Sequence, residues 1–325
     1  MAANTEEQKL YRWLHAYRLR FGTPVNVASI TNESSTFTTP IDLDKNIQTA
    51  KDKKNAYELT THQISFTITK DNGKEPNSAE ITIFNLDDDL VNYINNNIDH
   101  TLAIILEAGY VGEIKTIFKG TVAKIADKWD RGTRQTKLRC TDGGINVGEA
   151  MTSRSYPAGT PVKNVIRDLA GDLGTTVGAI EIDSQLTTFN SPVGFVGNTS
   201  SQIGKLADSI NHNFSIQDGA IYVTPRDKRL PQQSAYLSDE TGLKTDPEPL
   251  SQGNKKNKKN KTPTDGVGFT CQIDGSILPE TTVYVKGRSF EGALKVTKVT
   301  HTGSFEESEW TTKVEAVKID ATITK

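Results

Sequence analysis

The chain has 325 residues, 35% hydrophobic and 24% charged, and 38 Lys and Arg against 40 Asp and Glu leave a formal charge of -2. That length suits two or three domains with ample buried core, and the even balance excludes a chain made basic throughout to hold nucleic acid or a membrane surface. With only Cys140 and Cys271, far apart, a disulfide framework and a CxxC zinc or redox site are also excluded, and both cysteines read as buried thiols.

The first residues lack the basic start and apolar stretch of a secretory signal, so the expectation is a protein made and used without Sec export. The longest conspicuous apolar run, Leu102 to Leu106, is far below the roughly 18 residues that cross a bilayer, so a soluble chain with no membrane anchor is expected.

In chain order, Leu10, Trp13, Leu14 and Tyr17 recur at i, i+3, i+4 and i+7, which predicts an amphipathic helix over 6–21, stopped by Gly22 and Pro24. Its aromatic stripe packs either on the chain's own core or on a neighbour, which makes these four residues a candidate interface. Residues 25–56 are polar with weak periodicity and read as an extended arm with one short strand near 25–30. Ile64, Phe66 and Ile68 alternate with Ser65, Thr67 and Thr69, and Asp71-Asn72-Gly73 is a turn signal, so a hairpin into the strand 79–84 is expected. Asn85-Leu86-Asp87-Asp88-Asp89 opens a short helix, its acids serving as cap and first turn. Segments 102–109, 114–129 and 133–141 form a predicted three-stranded meander.

Met151 to Gly159 reads as a boundary into a mixed unit. Val162, Val165, Ile166, Leu169 and Leu173 stripe a helix ending at Gly174, a strand follows near 177–182, and Ile203, Leu206, Ala207 and Ile210 stripe a second helix. Phe214 to Gln217 and Ala220 to Thr224 flank Asp218-Gly219 as a tight hairpin. Residues 238–265, with Pro247, Pro249 and a lysine run at 255–261, read as a linker or long loop, and strands resume at 267–273, 282–285, 293–300 and 310–319. Val122-Ala123-Lys124-Ile125 matches Val296-Thr297-Lys298-Val299 at an offset of 174, and Thr136-Lys137-Leu138-Arg139 matches Thr312-Lys313-Val314-Glu315 at 176. A two-residue difference in the intervening turn reconciles the offsets, and two related β units around an inserted α/β unit follow.

Reactive constellations are not found in the sequence. The five histidines stand singly, without HxH, HxxxH or HExxH spacing for a shared metal. Gly194 to Lys205 resembles a phosphate loop only in composition, since Leu206 stands where a magnesium-binding Ser or Thr is required. Asp87, Asp88 and Asp89 lack the alternation and distal Glu of a calcium loop. No GxSxG elbow accompanies a helix and strand alternation, while a glycosidase carboxylate pair, set by distance in space, stays open. The lysine run carries no interleaved aromatics on which bases could stack and reads as a solvated loop. Neither an enzyme nor a cofactor or metal site is expected.

Several segments carry a family resemblance by their order: Ser78-Ala79-Glu80-Ile81 through Leu86, Glu107-Ala108-Gly109-Tyr110, Ile117-Phe118-Lys119-Gly120, Leu206-Ala207 through Asp218-Gly219-Ala220-Ile221-Tyr222-Val223, Thr241-Gly242-Leu243 with Pro247-Glu248-Pro249, and Val296 to Gly303 before Trp310. Over most of 60–325 the chain resembles the baseplate hub proteins of contractile bacteriophage tails and related injection systems; residues 1–56 and the lysine run do not map onto that family. The resemblance implies a β-rich α+β fold with two tail-tube-like β barrels flanking an inserted α/β unit, preceded here by the N-terminal amphipathic helix. The expected division is 1–56 helix and arm, 57–150 first β domain, 151–240 inserted domain, 241–265 linker, and 266–325 second β domain. It further implies a homotrimer that joins the hexameric tail tube protein to a trimeric spike protein, contacts other baseplate proteins, and lines a channel for passing DNA. The expected location is the virion tail baseplate, assembled in the host cytoplasm. The alternatives are a tail-tip cell-wall hydrolase and a β-rich receptor-binding or carbohydrate-binding protein.

Overall fold

The computed structural model describes residues 14–22, 56–73, 76–98, 102–142, 149–182, 188–230, 233–250, 266–305 and 307–319. Its first element corrects the helix expected over 6–21: His15–Gly22 is a strand, β1. Tyr17, Leu19 and Phe21 alternate with Arg18 and Arg20, and this period of two wins because it buries all three apolar side chains. The helical spacing of the N-terminal stripe overlapped the strand pattern only at Tyr17. Leu10, Trp13, most of the expected arm and the lysine run lie outside the described residues.

β1 lies between β2 (Ala56–Leu59) and β5 (Ala103–Tyr110). β5 then pairs with β6 (Glu113–Asp130), β6 with β7 (Thr133–Thr141), β7 with β4 (Ser78–Phe84), and β4 with β3 (Ile64–Asp71), all antiparallel. The expected meander and hairpin are therefore present. Between β4 and β5 the helix α1 (Asp88–Asn97) starts at Asp87, whose carboxylate accepts from Leu90 N, so the first acid is a cap.

A second set of strands has the same neighbours. β14 (Glu248–Pro249) pairs with β15 (Gly266–Gln272), β15 with β18 (Trp310–Lys318), β18 with β17 (Glu291–Ser304), and β17 with β16 (Thr282–Lys286). β3, β4, β7, β6 and β5 thus correspond in order to β14, β15, β18, β17 and β16. The correspondence reaches single residues. Val122 pairs with Cys140 and Lys124 with Arg139, leaving Ala123 as an extra residue; Val296 pairs with Ala316 and Lys298 with Glu315, leaving Thr297 extra. Two residues separate Asp130 from Thr133 and four separate Ser304 from Glu309, which is the two-residue difference between the offsets.

The sets differ at two places. β13 (Gln233–Ser238) runs parallel to β16, whereas β1 is antiparallel to β5. The C-terminal half of β17, from Lys298, pairs with β3 and joins both sets into one sheet, whereas among the described residues nothing pairs with that edge of β6 from Lys124 onward. β13 and β14 fall inside the stretch expected to belong to the insert and linker, and both belong to this sheet.

The insert contains β8 (Met151–Tyr156), α2 (Val162–Leu173), β9 (Thr176–Ile180), β10 (Val193–Asn198), α3 (Thr199–Ser209), β11 (His212–Gln217) and β12 (Ala220–Pro225). Gly174 ends α2 at φ 71° and accepts the left-handed turn at no steric cost. Asp218 and Gly219, both at positive φ, close the β11 to β12 hairpin. Most of the segment 151–159, the expected boundary into the insert, is the strand β8, paired with β10, and the glycine-rich stretch is β10 with Asn198 capping α3. Separate apolar cores lie under the first strand set, in the insert and under the second set.

Within β17, His301 is fully buried with Nδ1 beside Thr312 Oγ1 at 2.9 Å. Burial, aided by the Lys70 charge, pushes its imidazole down to about 3. Below pH ~6.5 the unfolded chain takes up a proton that the folded chain refuses, so this group removes stability as pH falls, at about 1.4 kcal/mol per pH unit. Denaturant midpoints at pH 7 and 5 should show that loss, and His301→Gln should reduce the slope. An unchanged slope would show that His301 is protonated in the fold.

Candidate functional surface

Inward-facing residues of the strands build the cores, so the alternate residues form one open polar face across β15, β18, β17, β3, β4, β7 and the tip of β6. One rung runs Gln272, Thr311, Thr302, Thr67, Glu80, Arg139, Lys124, each directly paired with the next. A neighbouring rung is Thr270, Lys313, Thr300, Thr69, Ser78. The face is consequently rich in hydroxyls, with cations at Lys124, Lys137, Arg139, Lys298 and Lys313. Glu80 contacts Lys137 at 2.6 Å and Arg139 at 3.0 Å. The hydrogen bond from Lys137 leads in holding the Glu80 carboxyl below the usual carboxylate range. Lys124, Ala126, Lys137 and Arg139 line a shallow cleft. This surface offers polar contact over a broad area and no convergent nucleophile, base and orienting group.

A second polar feature fixes the insert to the sheet. Lys70 Nζ meets the Asp218 carboxylate at 2.6 Å, and Asp142 accepts from the backbone N–H groups of Asp218 and Gly219. Asn77 donates to Asp142, to Gln217 and to the carbonyl of Ile216. Burial first, and the Asp218 charge second, push the Asp142 carboxyl up. On the other set, fully buried Glu280 meets Lys295 at 2.7 Å and accepts from Asn72, Asn213 and Thr224. The hairpin backbone on Asp142, the Lys70 to Asp218 ion pair and the bonds of Asn213 and Thr224 to Glu280 thus hold the insert in one orientation.

Sequence reasoning missed this joint, although Lys70 continues the inward phase of Ile64, Phe66 and Ile68, a signal of a buried, paired cation. Of the expected interface residues, Tyr17 is 1% exposed and donates to the His62 carbonyl, while Leu14 is 50% exposed at the start of β1. Cys140 and Cys271 are buried; burial raises both thiols, Cys271 to about 12, so neither is a ready thiolate. Among the described residues, no group of three or more His, Cys, Asp and Glu could hold a metal ion. No described helix is long and apolar enough to cross a membrane.

Residues 52–255 match the family model for baseplate hub gp41. No curated protein matches the sequence. A tail protein from Neisseria meningitidis MC58 has a similar structure at TM-score 0.55 and 11% identity, over 94% of this chain and 97% of that one. The 43 kDa tail protein of prophage MuSo2 from Shewanella oneidensis gives 0.51 and 10%, over 79% and 98%. A type VI secretion component of E. coli, c3393, itself described as structurally similar to the T4 bacteriophage tail proteins gp27 and gp5, gives 0.51 and 9%, over 81% and 77%.

Proposed function

We propose that this chain, which belongs to the baseplate hub gp41 family, acts as the symmetry adaptor of the tail tip, a homotrimer between a hexameric tube and a trimeric spike. Its family is a structural one of the virion tail baseplate, not a family of enzymes, and the fold is that of phage tail proteins. The observation that carries the finer reading is the strand-for-strand correspondence of the two sheet halves, down to the shared extra residue at Ala123 and Thr297. Three copies of a chain with two equivalent halves present six similar units on one side and three-fold symmetry on the other. In that arrangement each half is one tube-like barrel unit.

The open polar face suits the channel for DNA. Threonine and serine hydroxyls wet the wall, and Glu80 offsets part of the charge of Lys137 and Arg139, so phosphates meet cations that already have a partner. Leu10, Trp13 and exposed Leu14 are the contact we assign to a neighbouring baseplate component, while Tyr17 belongs to the core. Assembly takes place in the host cytoplasm.

Light scattering on the full chain, alone and with its cognate tube and spike proteins, tests the adaptor. A particle of three copies is expected. A chain that stays monomeric alone and in the mixture would overturn the reading.

A further inference from the structure

Among the edges of the sheet left open in the described residues, two, the tip of β6 and β14, are by the correspondence between the halves counterparts of a seam that exists inside the chain. That seam is β17 against β3, with His301 opposite Ile68, Thr302 opposite Thr67 and Gly303 opposite Phe66. By the β6 to β17 correspondence, Asp127, Lys128 and Trp129 stand where His301, Thr302 and Gly303 stand. By the β3 to β14 correspondence, Pro249, Glu248 and Pro247 stand where Ile68, Thr67 and Phe66 stand, since Ile68 faces Ala79 on β4 as Pro249 faces Val267 on β15.

We propose that the tip of β6 in one copy, residues 126–130, pairs antiparallel with residues 247–250 of a second copy, repeating between chains the β17 to β3 seam within one. The inference rests on the adaptor reading and names the contact that closes its ring.

The side chains on the two edges fit each other. Lys128 falls opposite Glu248 and Ala126 opposite Leu250, while Trp129 falls opposite Pro247. Trp129 is 70% exposed and Leu250 37%, so two of the large apolar side chains left in solvent sit on the two edges that the repeat brings together. The next position ends the match: Asp246 is turned back to accept from Arg288 N, Ser289 N and the Ser289 hydroxyl.

The backbone chooses this partner over a copy of the same edge. Leu250 N donates to the Gly266 carbonyl, so the alternate residues, Pro249 and Pro247, direct their backbone carbonyls to the edge away from β15. Proline carries no N–H, and this edge therefore offers carbonyls without the donors that two like edges would exchange. The β6 edge supplies N–H groups at Asp127 and Trp129, at the positions equivalent to His301 and Gly303. A contact between unlike edges is head-to-tail and closes into a ring when its rotation divides the circle.

The test is a disulfide between Lys128→Cys and Glu248→Cys in the full chain. The equivalent pair, Thr302 and Thr67, is a non-hydrogen-bonded pair, the kind with the closer side chains, and the native cysteines are buried away from oxidant. Mild oxidation should give a ladder ending at three copies, reversed by reductant and absent from either single variant. Hydrogen exchange on the unaltered chain gives a readout that needs no substitution: amides 127 and 129 should slow roughly tenfold on assembly, while 299–303 are slow throughout. A trimer by light scattering with neither bond nor slowing would overturn this seam and leave the adaptor standing. Bonded species longer than three copies would uphold the seam and contradict the closed trimer. A chain monomeric in every mixture, with no bond, would overturn both.

Discussion

Replacing Lys295 with methionine should lower stability by about 3–5 kcal/mol, because the substitution strands a buried carboxylate. Glu280 has no exposed surface, lies at φ 70°, and faces the Lys295 ammonium at 2.7 Å. Lys295 also donates to the carbonyls of Pro225 and Lys228, so its loss leaves three acceptors short in one place. Removing both charges with Lys295→Met and Glu280→Leu should recover only part of the loss. Asn72, Asn213 and Thr224 would then have lost their shared acceptor. Urea unfolding followed by tryptophan fluorescence measures both effects. A single variant within 1 kcal/mol of the parent would show that Glu280 is solvated or protonated in the fold, contrary to the geometry.

Trp310→Ala should cost about 3–5 kcal/mol, the range for truncating a large buried aromatic side chain. The residue belongs to β18 of the second strand set, but its ring lies in the core of the first. It stacks on His15 at 4.6 Å, meets Phe66 edge-on at 5.3 Å, and donates its indole N–H to the Gly109 carbonyl at 2.8 Å. Gly303 beneath it leaves the space the ring needs: a Cβ there would come within 2.7 Å of Trp310 and 2.4 Å of Phe66. Trp310→Phe keeps much of the apolar contact and should cost less than half as much. Equal losses in the two variants would show that the hydrogen bond to Gly109, rather than packing, ties the halves together.

Where physical signals were local, the sequence was legible. Asp87 as a cap, Gly174 as a helix stop, Asp218-Gly219 as a hairpin turn and the three strands from 102 to 141 all rest on patterns within a dozen residues. The repeat was legible for another reason: identical strand partners keep similar residues at fixed spacing. β1 was misread because Tyr17 serves both a helical spacing with Leu10 and Trp13 and an alternating one with Leu19 and Phe21, and only the position of β5 decides between them. The joint between insert and sheet was legible only as a buried cation at Lys70, because its partners are remote: Lys70 meets Asp218 and Asn213 meets Glu280, and nothing in a local window marks those pairs. The alternation of Ile64, Phe66 and Ile68 with Ser65, Thr67 and Thr69 and the turns that pair β3 with β4 and β6 with β7 were legible, but the pairings of β4 with β7 and of β17 with β3, which join these strands into one polar face, were not.

The most direct test of the account is an electron cryomicroscopy map of the assembled hub at a resolution that separates strands. Three copies are expected, with the two halves of each alternating around a pseudo-six-fold ring, the face bearing Thr67, Thr302 and Lys124 turned to the central channel, and β6 lying about 4.8 Å from β14 of the next copy, as β17 lies from β3. A ring in which the two halves sit at different radii, or in which the edge of β6 from Lys124 to Asp130 faces solvent, would contradict it.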